Sequence, residues 1–110
     1  MINNVTLGGK IVSDLILRKS KSGMSVIDFR LMYKNKKAKN PLFIDVEAWG
    51  LEADRLSETA VKGVSVIVHG ELRRDVWEKD GEERSKIKIT AEKVIINADL
   101  RQIGESPVSF

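Results

Sequence analysis

The sequence predicts an all-β fold, a five-stranded Greek-key barrel with one short helix between its third and fourth strands. Three observations predict it. Apolar and polar residues alternate at period two over most of the chain, as half-buried strands require. One stretch alone shifts to helical spacing. Glycines punctuate the strands where a small barrel has to bend.

Val5 to Ile16 reads as one long first strand, with Gly8 and Gly9 suggesting a bulge or sharp bend in its middle. RKSKSGMS, Arg18 to Ser25, reads as a turn punctuated by Gly23. Ile27, Phe29 and Leu31 then alternate with Asp28, Arg30 and Met32 in a second strand that ends near Tyr33. After a lysine-rich loop comes LFIDVEAW, with Leu42, Ile44, Val46 and Ala48 on a core face and Phe43, Asp45, Glu47 and Trp49 on the other. From Leu51 to Val61 the residues Leu51, Ala53 or Asp54, Leu56, Ala60 and Val61 approach helical spacing, and Gly63 is placed as a C-terminal stop. Val64, Val66 and Val68 line one face of a strand running to Leu72, beyond which charged residues and Trp77 lead to Asp80-Gly81, a strong hairpin signal. The return strand runs from Arg84 to Ile96, with Ile87, Ile89 and Ala91 alternating against Lys86, Lys88, Thr90 and Glu92. Three strands, a helix and two strands in this order fit the oligonucleotide-binding barrel, the OB-fold.

With 110 residues, 42% of them hydrophobic and 32% charged, the chain suits one globular domain. There is no cysteine, which excludes disulfides, thiolate metal sites and cysteine nucleophiles. No apolar run approaches a membrane span, and the N-terminus lacks a signal-peptide pattern, so a cytoplasmic protein is expected. The net charge is +3, but unevenly spread: residues 1–40 hold nine Lys or Arg against two acids, and the rest ten against fourteen. A basic N-terminal portion suits an anionic partner.

Catalytic patterns are weak. The single histidine, His69, lies inside a predicted strand and reads as a half-buried structural residue. No phosphate-binding loop and no nucleophile elbow occurs, so neither an enzyme nor a cofactor is expected. Binding is better supported. Nucleobases stack on any exposed ring, and cations nearby track the phosphates. Phe43 and Trp49 take the polar parity of their strand, and Trp77 shares the parity of Arg73 and Asp75. Lys34, Lys36, Lys37 and Lys39 form one basic loop, and Arg18, Lys19 and Lys21 are expected on another; Arg30, Lys86 and Lys88 occupy polar strand faces. Taken singly, the lysine loop can be a solvated hairpin and each ring can pack under a loop or in a subunit interface. Tyr33, at a strand end, reads as structural.

NNVTLGGKIVSD with KSGMSVIDFRL, FIDVEAWG before the helix, VKGVSVIVHGELRRDVW and the DGEERSKIKITAEKV return strand together resemble the single-stranded DNA-binding protein family of bacteria, from Ile2 to about Ile96. That resemblance implies an OB-fold domain over residues 1–98, a homotetramer or dimer, and cofactor-free, sequence-independent binding of single-stranded DNA in replication, recombination or repair, near the nucleoid. It places Phe43, Trp49 and Trp77 at stacking positions. The chain departs from the family pattern in three ways. The lysine run stands where a further tryptophan is common. Asp45, Glu47 and Asp75 put carboxylates beside the rings, where they are expected to repel phosphate and shift the strand toward the lysine loops. Residues 99–110 are expected to be a short flexible tail whose end, GESPVSF, lacks the acidic tip that recruits replication and repair proteins. The alternatives to DNA binding are a primosome-like accessory barrel that docks on protein, with Asp45, Glu47 and Asp75 as its best support, and an RNA-binding barrel.

Overall fold

In the computed structural model, residues 1–96 are described; the expected tail, 99–110, lies outside them. The elements are β1 (Val5–Ile11), β2 (Ile16–Lys19), β3 (Ser25–Tyr33), β4 (Leu42–Trp49), α1 (Leu51–Thr59), β5 (Ser65–Lys79) and β6 (Glu82–Ile96). The sheet runs β1-β5-β6-β4-β3-β2, and a second pairing of β1 with β3 closes it into a five-stranded ring. All neighbours are antiparallel except β4 and β6, which lie parallel from Asp45↔Lys88 to Ala48↔Ala91. This is the OB-type barrel, with β2 attached outside the ring along β3.

The strand count differs from expectation because the predicted first strand is two. The chain leaves β1 after Ile11 and re-forms as β2, which pairs Ile16↔Asp28 through Lys19↔Ser25. Arg18 and Lys19 are therefore strand residues rather than loop residues; Lys21 alone of that group lies in the turn. The expected bulge at Gly8 and Gly9 is also absent, since β1 runs in unbroken register against β5 from Val5↔Gly70 to Lys10↔Ser65. Gly9 serves a different need: a Cβ there would land on the Met32 carbonyl, where β1 swings across to β3. The irregularity falls at His69/Gly70 instead, and a Cβ at Gly70 would strike the Thr90 carbonyl. Both glycines mark close backbone approach inside a tightly curved sheet.

Ile11, Ile27, Phe29, Leu31, Val46, Val66, Val68, Ile89 and Val94 fill the barrel, and α1 adds Ala53 and Leu56. Each large aliphatic side chain so buried contributes about 1.5–3 kcal/mol. The helix is shorter than predicted: Leu51 and Val61, assigned to its apolar face, are exposed. Its tether is polar, because Glu52 accepts the Val94 amide at 2.7 Å and pairs with Arg55. The Asp80-Gly81 turn is as expected, both residues having positive φ (53° and 78°), the backbone of a type I′ hairpin. Beyond Ile89 and Gly70 this hairpin leaves the core, so Leu72, Val76 and Ile87 are exposed although their parity is apolar. Leu42, assigned to the core face, is also exposed at the start of its strand.

Candidate nucleic-acid interface

The polar parity of β4 is continuous with its neighbours. Cross-strand pairs set Met32 beside Phe43, Arg30 beside Asp45 and Asp28 beside Glu47 on β3. On the other side, Asp45 meets Lys88, which meets Arg73, and Asp75 meets Lys86. One face thus carries residues from β2, β3, β4, β5 and β6. It holds an open groove of about 720 Å³ lined by Ile16, Asp28, Arg30, Asp45, Asp75, Trp77, Lys86 and Lys88, with Ser13 and Asp14 from the segment between β1 and β2 and an edge of Phe29.

The three rings stand differently on this face. Trp77 is 42% exposed and lines the groove. Phe43, 48% exposed, adjoins it, with the Arg30 guanidinium carbon 6.0 Å from its ring centre. Trp49 is half-buried, and its indole N–H donates to Glu47 Oε1 at 2.6 Å. None is sealed in the core. Tyr33 is half-buried at the end of β3. His69, expected to be half-buried, is exposed, with Nδ1 3.0 Å from Thr6 Oγ1 across the β1–β5 ladder.

The cations divide into two groups. On the strand face Arg18, Arg30, Arg73, Lys86 and Lys88 each have a carboxylate partner. Arg18 pairs with Asp28 at 2.8 Å, Arg30 with Asp45 at 3.2 Å, and Lys86 with Asp45. Lys88 bridges Glu47 and Asp75 at 2.7 and 2.6 Å, while Arg73 contacts the same two acids at 3.6 and 3.2 Å. Glu47, only 1% exposed, lies at the centre and also meets Arg18 at 3.4 Å. In contrast, Lys34, Lys36, Lys37 and Lys39 are exposed and form no ion pair among the described residues, nor does Lys21. Lys19 donates to Ser25 Oγ at 2.9 Å. A side-chain turn orders the lysine loop locally, Asn35 Oδ1 accepting the Lys37 amide at 3.0 Å.

Pairing decides the charge states. Burial opposes ionisation of Glu47, but hydrogen bonds from Lys88 and Trp49 and the charges of Lys88 and Arg73 overcome it and hold the carboxyl below the usual glutamate range. Burial likewise opposes the charge on Asp45, and Lys86 and Arg30 outweigh it. The Lys88 hydrogen bond, aided by Arg73, lowers Asp75 against a smaller burial effect. Burial would lower Lys88, yet Asp75 and Glu47 hold it above the ordinary lysine value. The carboxylates expected to repel phosphate are therefore neutralised locally, and so are the strand cations expected to attract it.

Sequence reasoning identified the rings and cations of this face but missed the role of Glu47. Its parity was visible; the convergence of Arg18, Arg73 and Lys88 from three other strands was not. The groove-lining contribution of Ser13, Asp14 and Ile16 was hidden by reading Val5 to Ile16 as one strand.

The Single-strand binding protein family matches residues 2–97. Single-stranded DNA-binding protein from Aquifex aeolicus is 35% identical over 102 residues, covering 86% of this chain and 69% of that protein. The protein of that name from Treponema pallidum is 30% identical over 99 residues, covering 84% and 56%, and that from Corynebacterium glutamicum 33% over 101 residues, covering 83% and 45%. The chain thus spans about half to two-thirds of these relatives' lengths. With the closed barrel and the polar face that carries the three rings, this match establishes that the chain belongs to the Single-strand binding protein family.

Proposed function

We propose that this chain binds single-stranded DNA without reading its sequence, and coats exposed strands during replication, recombination or repair. The observation that carries the reading is the grouping of Phe43, Trp49 and Trp77 on one polar strand face beside an open groove. Family membership supports it. Trp77 and Phe43 offer ring faces for bases, each stack contributing about 1–3 kcal/mol, and Trp49 offers a partly covered ring. Lys21, Lys34, Lys36, Lys37 and Lys39 neutralise phosphates with release of counterions, so affinity falls as salt rises. Arg18, Lys19, Arg30, Arg73, Lys86 and Lys88 flank the bases. The chain acts as a binder, not a catalyst, and needs no cofactor.

Homo-oligomerisation belongs to the same proposal. The exposed Leu72, Val76 and Ile87 of the projecting hairpin supply an apolar contact surface. Among the described residues no helix is long and apolar enough to cross a membrane, and we place the protein at the nucleoid in the cytoplasm. The accessory-subunit reading loses its main support once Asp45, Glu47 and Asp75 are seen to be ion-paired.

Titration with poly(dT), followed by tryptophan fluorescence, tests the reading. Quenching at low salt that duplex DNA does not compete away is expected. Absence of quenching, or equal competition by duplex, overturns it. Matched ribo- and deoxyribo-oligomers separate a DNA binder from an RNA binder, and light scattering with and without a thymidine oligomer gives the oligomeric state.

A further inference from the structure

Glu47 is unusual for its place. A carboxylate at the centre of a face that meets a polyanion costs desolvation and adds repulsion unless something compensates. Here the compensation comes from three strands: Lys88 at 2.7 Å and Arg18 at 3.4 Å on Oε2, and Arg73 at 3.6 Å on Oε1, which also accepts the Trp49 indole N–H at 2.6 Å. Asp75 shares Lys88 and Arg73, and Asp28 shares Arg18. The long cationic side chains are thereby drawn toward an internal acceptor, whereas the lysines of residues 34–39 stay exposed.

We propose that Glu47 is a positioning residue of the binding face: it anchors Trp49 and holds Arg18, Arg73 and Lys88 against itself. The face over β4 is a near-neutral bed for bases, and the phosphates are left to the loop lysines. This rests on the reading that the face carries DNA. It adds a division of labour between bases and backbone that a count of cations does not contain. A phosphate that took Lys88 or Arg73 would displace a carboxylate, so no net charge would be neutralised and few counterions released.

The experiment measures affinity for a thymidine oligomer across a salt series, in the wild type, Glu47→Gln and Asp75→Asn. The Glu47→Gln side chain keeps an oxygen for the Trp49 indole and removes the charge. Asp75→Asn likewise removes a charge and keeps an oxygen, at a partly exposed site where folding is little affected. Glu47→Gln is expected to bind several-fold more tightly at low salt, with a log–log salt slope steeper by about 0.7 for each phosphate newly neutralised, and Asp75→Asn, in which Glu47 still holds Lys88 and Arg73, to change both less. A purely structural role for Glu47 moves thermal stability and leaves that slope alone. An unchanged or shallower slope in folded Glu47→Gln overturns the proposal; if that variant fails to fold, Arg73→Gln decides, because an arginine held by Glu47 leaves the slope unchanged when removed, and a slope shallower by about 0.7 overturns the proposal. Should Phe43→Ala and Trp77→Ala also leave affinity unchanged, the binding face itself has been misassigned, a different failure from an unmoved slope with affinity reduced in the ring variants.

Discussion

The strand face and the lysine loop hold similar numbers of cations and use them differently. On the face, Arg18, Arg30, Arg73, Lys86 and Lys88 are matched by Asp28, Asp45, Glu47 and Asp75. In the loop, four lysines have no acid partner among the described residues. A basic residue near a proposed nucleic-acid surface is thus not a phosphate contact by default; its local partners decide. The face is a structural network that also presents rings, and the loop is the part with charge to offer.

The contrast is tested most severely at Lys88. Lys88→Met leaves the buried Glu47 with the Trp49 indole and the two longer arginine contacts, and we expect a loss of about 3 kcal/mol in urea unfolding. If stability were unchanged, the network would not be structural. Next in size are the rings. Trp77→Ala and Phe43→Ala are each expected to weaken binding by about 1–3 kcal/mol, roughly 5- to 150-fold, with little change in salt slope, because stacking releases few counterions. Replacing Lys34, Lys36, Lys37 and Lys39 together by alanine is expected to do the converse. The slope becomes shallower by about 0.7 for each phosphate that is no longer neutralised, and thermal stability stays the same. Smallest is Asp28→Asn, which removes a largely exposed pair with Arg18 and is expected to change stability by about 1 kcal/mol or less.

Acid sharpens the same contrast. Asp45, Glu47, Glu52 and Asp75 are all lowered in the folded protein. Their contribution is therefore fully present above the unfolded carboxylate range near about pH 4 and is lost as pH falls through the folded values below it. Lys88 is raised, so its contribution is present below the unfolded lysine value of about 10.4 and is lost as pH rises through the folded one. Thermal unfolding should show a plateau between these limits, with an acid fall that Asp75→Asn makes shallower.

Much of this was legible in the chain. Alternation along FIDVEAW was enough to place Phe43 and Trp49 off the core face, and Asp80-Gly81 was enough to place the hairpin, because both are local rules of backbone and side-chain direction. The break between Ile11 and Ile16 was marked only by the turn-forming pair Ser13-Asp14, a signal too short to show that the barrel needs the chain to change partners from β5 to β3. Alternation also overstates the burial of Ile87 and Leu72 for a similar reason: their parity is right, but the hairpin projects beyond the core that would cover them.

Local sequence was therefore sufficient for the β class, the helix position, the hairpin and the outward parity of the three rings, all consequences of periods and turn chemistry acting within a few residues. Which cation meets which acid had to wait for the closed barrel. Glu47 and Lys88 are 41 positions apart in the chain and 2.7 Å apart in space. The parallel pairing of β4 with β6 brings them together, and Coulomb attraction, strong at short range in a buried site, then settles their charge and that of their neighbours.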